Sequence, residues 1–278
     1  MAAETAANLF ARLGRKKSLD GLDKILFQGL SRPVQVKDVI ELYGDDGSGK
    51  TQILLHLIAN CILPQKWKGA SLEGRGVGAI FVDTDYHFSL LRLVEILEER
   101  ITSCFLQQGL PMPSVAARQT FIKSCLSRLT LAKCNSTEEL LDTMRSFDKI
   151  LCNRTDICVM MIDSISAFYW QDKSDGGETY QGREKHQKRL LEVLRRYIDQ
   201  YYLVVIATLP AIYSKDFKRI QRMDDYAYMC RPWRWFVKCA YAVSRTSDKS
   251  STFLMKQVKP DVGNFVIKFD IDKEGLKC

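Results

Sequence analysis

Gly44-Asp45-Asp46-Gly47-Ser48-Gly49-Lys50-Thr51 follows the strand-like run Val36 to Tyr43 and heads the amphipathic stretch Lys50 to Leu63. Its spacing, a glycine, four residues, then Gly-Lys-Thr, is that of a phosphate-binding loop. Glycines let the backbone curl until successive N–H groups converge into an anion nest. Lys50 adds a point charge for the outer phosphates, and the Thr51 hydroxyl is a hard oxygen ligand for a divalent ion. The helix expected from Lys50 aims the positive end of its dipole at the same place. All eight residues are candidates for holding a nucleoside triphosphate. Asp45 and Asp46 are unusual among them, because carboxylates near a triphosphate repel it unless they face solvent.

Outward from this loop, strands and helices alternate. Gly78 to Asp83 and Ile157 to Asp163 are short, continuous apolar runs, as is Leu203 to Ala207; Leu129 to Lys133 reads as a further strand. Between them, Leu90, Val94, Leu97 and Ile101 recur at helical spacing, as do Leu190, Leu194, Ile198 and Tyr201. Ser136 or Thr137 can cap a helix with Glu138 and Glu139 in its first turn. Continuous apolar strands between amphipathic helices predict an α/β fold, a mostly parallel sheet covered on both faces. The tail differs: Cys239 to Arg245, Ser251 to Val258 and Gly263 to Ile271 are β-like runs separated by turns, expected as an antiparallel extension at the sheet edge. Residues 171–183 and 210–232 give no regular pattern. Residues 1–35 read as an arm, with Leu9, Phe10 and Leu13 as its apolar face, and 36–278 as one core.

Composition narrows the class. The 278 residues include 41 basic and 33 acidic ones, a formal charge of +8, which mildly favours polyanionic partners. Nine cysteines without a Cys-x-x-Cys pair, and three histidines, exclude the usual zinc-site spacings. The odd count, with Cys61, Cys125 and Cys158 inside apolar runs, suggests reduced, buried thiols in an intracellular protein. No apolar run approaches the ~20 residues of a membrane helix, so no membrane partner is expected.

Three further groups carry chemistry. Asp163 ends the buried run Val159-Met-Met-Ile-Asp163, where a carboxylate can hold a metal through water beside the phosphate loop. Asp85, in Phe81-Val-Asp-Thr-Asp85, is a candidate to polarise an attacking water; for Asp83 and Asp85 alike, simple turn chemistry is the competing reading. Segment 213–238 holds seven basic residues, three acidic ones and seven aromatics. Lys215, Lys218, Arg219 and Arg222 are its candidates for contact with single-stranded nucleic acid, whereas Trp233, Trp235 and Phe236 are expected to pack on the core.

Taken with Phe81-Val-Asp-Thr-Asp85, Met161-Ile-Asp-Ser-Ile-Ser-Ala-Phe168 and Val204-Val-Ile-Ala-Thr-Leu209, the loop resembles the RecA-type P-loop NTPase core of the eukaryotic strand-exchange recombinase and its paralogues. The likeness runs from about residue 20 to the end. Asp83-Thr-Asp-Tyr-His-Phe88, Cys61-Ile-Leu-Pro64 and Asp163-Ser-Ile-Ser-Ala-Phe-Tyr-Trp170 are more specific than the loop and point to one paralogue branch. The resemblance implies ATP and Mg2+ as ligands, with Thr51 and Asp163 at the metal. It implies a nuclear accessory subunit in homologous-recombination repair of DNA double-strand breaks and crosslinks, assembled with other paralogues, chiefly the D paralogue, and bound to single-stranded or branched DNA. A stand-alone DNA-dependent ATPase or recombinase is the alternative. Two departures count against rapid hydrolysis. Asp85 stands where active recombinases carry glutamate, which sets the carboxylate back by about 1.5 Å, one C–C bond. Leu209 stands where a polar γ-phosphate sensor is expected and can form no hydrogen bond. The ~35 residues before the core leave no room for the family's helical DNA-binding domain and contain no Phe-x-x-Ala linker. Such a chain suits ending or nucleating an assembly rather than propagating a filament.

Overall fold

The computed structural model describes residues 19, 22, 23, 26, 27, 34–175, 180–211, 229–246, 251–260 and 266–277. The first strand, β1 (Val39–Gly44), starts three residues later than the apolar run implies. Lys37 takes φ 68°, and the Asp38 carboxylate closes this turn by accepting the Gln35 N–H at 2.8 Å. From Gly44 the chain passes through the phosphate loop into α1 (Lys50–Ile62), whose Ile53, Leu54, Leu57, Ile58 and Cys61 are buried.

A short hairpin, β2 (Lys66–Trp67) with β3 (Ala70–Ser71), precedes β4 (Gly78–Asp83). Then come α2 (Leu90–Gln107), α3 (Val115–Leu126), β5 (Leu129–Lys133), α4 (Thr137–Asn153) and β6 (Ile157–Asp163). α4 starts at the predicted cap: Ser136 Oγ accepts the Glu139 N–H at 3.2 Å, satisfying one of the helix's free donors. After β6 the chain forms α5 (Tyr169–Asp175), α6 (Tyr180–Tyr201) and β7 (Val204–Pro210). Much of 171–183, patternless in sequence, is therefore helical. α7 (Arg231–Phe236) leads to β8 (Cys239–Arg245), β9 (Thr252–Lys259), β10 (Val266–Asp272) and β11 (Gly275–Lys277).

Among the described residues the main sheet runs β11-β10-β9-β8-β1-β7-β6-β4-β5. From β8 to β5 every pairing is parallel, and β9 to β11 add an antiparallel edge. This is the architecture the alternating pattern predicts, with one strand, β11, beyond those expected. One core lies between the sheet and α1 to α3, around Ile40, Leu42, Phe81 and Met161. The other lies under α4, α6 and α7, around Val39, Met160, Tyr197 and Trp233. Leu19, Leu22, Leu26, Phe27 and Val34 are buried in the first core. The eight cysteines among the described residues are all free thiols.

Strand order matters for the site. β7, not β6, lies beside β1, inserted between the two. The carboxyl ends of β1, β7, β6 and β4 therefore converge in that sequence around one crevice, the usual ligand position in such sheets.

Candidate nucleotide site

Close packing dictates the loop's residue types. A Cβ on Gly44 would sit 2.0 Å from the Val243 carbonyl oxygen on the neighbouring strand β8, so only glycine fits. Gly49 adopts φ 93°, the left-handed region that glycine occupies without steric cost.

Lys50 folds back over the loop. Its Nζ donates to Gly44 O at 2.7 Å and to Asp45 O at 2.9 Å, and lies 3.4 Å from Ser48 Oγ. Burial lowers the Lys50 pKa, and Asp163, Asp46, Asp45 and Asp85 oppose that shift. Thr51 Oγ1 donates to Asp163 Oδ2 at 2.7 Å, so these two side chains meet although 112 residues separate them. The other carboxylate oxygen, Asp163 Oδ1, accepts from Thr208 Oγ1 at 2.5 Å.

The two carboxylates at the end of β4 and just beyond it have different surroundings. Asp83 is fully buried and accepts the backbone N–H groups of His87 at 3.1 Å and Phe88 at 3.4 Å; it shapes the turn. Asp85 faces the cavity beside the loop. Burial, and then the charge of Asp163, raise its pKa, as suits a group that takes up a proton.

That cavity encloses about 650 Å³, within the range of small-ligand sites. Asp46 to Gln52 form its floor, and Asp85, His87, Asp163 and Pro210 stand on one side. Arg245, Ser251, Phe253 and Ile271 line the other. Phe253 and Ile271 belong to β9 and β10 of the antiparallel edge, Ser251 directly precedes β9, and Arg245 ends β8; sequence reasoning connected none of the four with the loop. Arg245 stacks over the Phe253 ring at 5.6 Å.

Leu209 is 1% exposed and points into the second core. Its neighbour Thr208 is committed to Asp163, and Pro210 has no N–H to offer. β7 thus presents no free polar side chain to the cavity. Thr208 itself was missed in the sequence; only the strand order reveals that it touches Asp163.

The residues fit a magnesium–nucleotide unit. Thr51 Oγ1 and Asp163 Oδ2 put two hard oxygen donors side by side, and the loop offers a glycine-shaped cradle with a desolvated ammonium. Among the described residues no group of three or more His, Cys, Asp or Glu could hold an ion unaided. Magnesium would need phosphate oxygens to complete its shell, which is its common habit.

Lys215, Lys218, Arg219 and Arg222 lie outside the described residues, as do Leu9, Phe10 and Leu13. Of the three aromatics expected on the core, Trp233 is buried and Phe236 packs beside it, but Trp235 is 80% exposed. The six-residue helix α7 cannot turn two aromatics two positions apart to one side.

A Rad51 family model matches residues 16–103. The mouse DNA repair protein XRCC2 is 35% identical, the alignment covering 90% of this chain and 88% of that protein. The chain belongs to the XRCC2 branch of the Rad51 family. The Arabidopsis thaliana XRCC2 homolog is 26% identical over 89% of this chain and 78% of its own. The archaeal DNA repair and recombination protein RadA of Methanocorpusculum labreanum is 25% identical over 74% of this chain and 59% of its own. Membership of the XRCC2 branch sets the chain among DNA repair and recombination proteins. Among the described residues no helix is long and apolar enough to cross a membrane.

Proposed function

We propose that this chain is an accessory subunit of a recombinase-paralogue complex, acting in the nucleus in homologous-recombination repair of double-strand breaks and crosslinks. It binds ATP with Mg2+ at residues 44–51 and assists assembly of the recombinase filament. The Thr51–Asp163 contact beside Lys50 carries the nucleotide part of this reading. Loop N–H groups would cradle the inner phosphates, Lys50 would turn outward to the terminal ones, and Thr51 and Asp163 would hold the metal directly or through water. Bound there, the nucleotide and its ion would supply a compact, multiply charged unit that cross-links β1, β6 and α1. Asp85, whose side chain borders the cavity, would polarise a water.

Residues 1–35, as an arm, and the D paralogue, as its chief partner, belong to the same reading. Leu9, Phe10 and Leu13 on such an arm would each cost about 1.5–3 kcal/mol if left in water, which favours burial against core or partner. The chain expressed alone is expected to be poorly soluble and to be rescued by co-expression with the D paralogue. Light scattering of the purified chain checks this. A stable monomer at micromolar concentration that does not associate with that partner overturns the subunit assignment.

Within the complex, Lys215, Lys218, Arg219 and Arg222 would contact the phosphates of single-stranded or branched DNA. Changing all four to alanine should weaken single-strand binding and flatten its log–log salt dependence by up to ~3 units, as four contacts at ~0.7 each require. An unaltered slope would return these residues to solvent.

A further inference from the structure

The chain leaves β7 at Ala211 and re-enters the described structure at Met229, and the described residues on both sides of this gap are fastened to β1. On one side, Ala211 N donates to Gly44 O at 3.0 Å. This is the carbonyl that also holds Lys50 Nζ. On the other side, Lys238 N donates to Val39 O at 2.9 Å, and Trp233 Nε1 donates to Glu41 Oε2 at 2.5 Å.

Glu41 is an odd residue for the middle of a central strand. It is 5% exposed, and its strand neighbours are Ala207 and Ala240, whose short side chains leave room for a carboxylate. A buried carboxylate is costly unless bonded, and here the bond goes to the indole of α7. The charged groups facing it are Lys259 from β9 and Arg234 from α7. Lys259 Nζ in turn donates to Arg234 O at 2.6 Å. Burial pushes the Glu41 pKa up to about 7, against the Trp233 bond and these two cations. Opposite Trp233, α7 turns outward Arg231, Trp235 and, just past its end, Lys238. Lys238 Nζ reaches Asp38 Oδ1 only at 3.6 Å.

We propose that Glu41 is a positioning residue: through Trp233 it holds α7 on β1, so that a change at the phosphate loop is carried to the Arg231–Trp235–Lys238 face. The inference rests on the reading that the loop binds ATP. Lys50 Nζ, on turning to a phosphate, releases Gly44 O, and among the described residues β1 is the strand bonded to both flanks of 212–228. β7 offers the cavity no polar side chain for this task, so the path through β1 substitutes for a direct contact.

Hydrogen exchange in peptide 229–238 of the full chain, alone or with its partner subunit, tests this, with MgATP binding measured on the same samples. In wild type, saturating MgATP should change exchange of this peptide by about threefold or more. Glu41→Gln keeps an acceptor for the indole and should keep the response. Glu41→Leu and Trp233→Phe should lose it while binding ATP as wild type does. After correction for intrinsic rates, wild-type protection should fall as pH rises through about 7, where the carboxyl ionises, and Glu41→Gln should be flat. If Glu41→Leu fails to fold, Trp233→Phe, which keeps an aromatic ring but removes the indole donor, decides. Retained response in Trp233→Phe, or bound ATP with no response in wild type, overturns the proposal. If wild type binds no ATP, the earlier reading falls instead, and identical pH profiles for wild type and Glu41→Gln then overturn this one.

Discussion

Lys50→Ala is expected to abolish retention of labelled ATP by the purified chain or its complex. Lys50 is the loop's cation in a site that also gathers Asp45 and Asp46 from the loop, Asp163 from β6 and Asp85 from after β4. Removing it leaves the cradle acidic toward an acidic ligand. Truncating one partner of a desolvated charge pair costs about 2–5 kcal/mol, which is roughly a 30-fold to roughly a 4,000-fold loss of affinity. Gly44 and Asp45 retain their carbonyls and the fold keeps its core, so thermal stability should hardly move. Binding by Lys50→Ala within about threefold of wild type, a free-energy change under ~1 kcal/mol, would mean that the cavity serves another ligand. Turnover is a separate matter. Asp85 is one carbon shorter than glutamate, and positional errors near 1 Å can cost ~10²-fold in rate. With Leu209 buried and Thr208 bonded to Asp163, steady-state hydrolysis should fall far below the ordinary ~1–10³ s⁻¹. A rate inside that range, removed by Asp85→Asn, would favour the stand-alone ATPase.

The phosphate loop and Asp163 were legible because their chemistry fixes local spacing: a glycine cradle between strand and helix, and a carboxylate closing an apolar strand. Sheet order was not legible. No local pattern says that β7 enters between β1 and β6, and Thr208 on Asp163 follows only from that insertion. Nor does periodicity reveal that Phe253 and Ile271, ordinary apolar positions of an edge hairpin, close the cavity 3.1–3.2 Å from where a Gly49 Cβ would sit. α3 lacks a clear apolar stripe, burying only Ile122 and Cys125, and so left no periodic trace. Trp233 and Trp235 show the opposite problem: identical residue types two positions apart, separated by helix geometry into a buried donor and an exposed ring.

Arg100→Ala should destabilise the chain by about 3–5 kcal/mol, the usual result of removing one partner from a buried charge network. Arg100 lies inside a junction of four distant stretches. Its Nε donates to Glu274 O at 2.8 Å, and its guanidinium also contacts Asn60 Oδ1 and His56 Nδ1. His56 Nδ1 accepts the Leu276 N–H at 2.9 Å, so Nε2 carries the hydrogen donated to Asp23 Oδ2, 2.6 Å away. Asp23 also accepts from Asn60 Nδ2 at 2.9 Å and from Leu26 N at 2.7 Å. Burial pushes the Arg100 pKa down only to about 10, so it stays charged and compensates Asp23 through the neutral imidazole. Burial first, and Arg100 among the charges, lower the His56 pKa. The folded state therefore disfavours imidazolium, and stability present above the ordinary histidine pKa of about 6.5 is lost as pH falls below it. Without Arg100 that constraint relaxes, and a protonated His56 can replace the missing charge beside Asp23. The deficit of Arg100→Ala, read from denaturant midpoints at constant slope, should accordingly shrink between about pH 8 and about pH 5.5. A deficit below ~1 kcal/mol, typical of exposed pairs, or one independent of pH, would reduce the junction to a solvated pair. The junction also bears on the nucleotide site, because α1 begins at Lys50 and β10 brings Ile271 to the cavity wall. Loosening His56 or Glu274 releases both from the same anchor, so ATP affinity should weaken in Arg100→Ala, though far less than in Lys50→Ala.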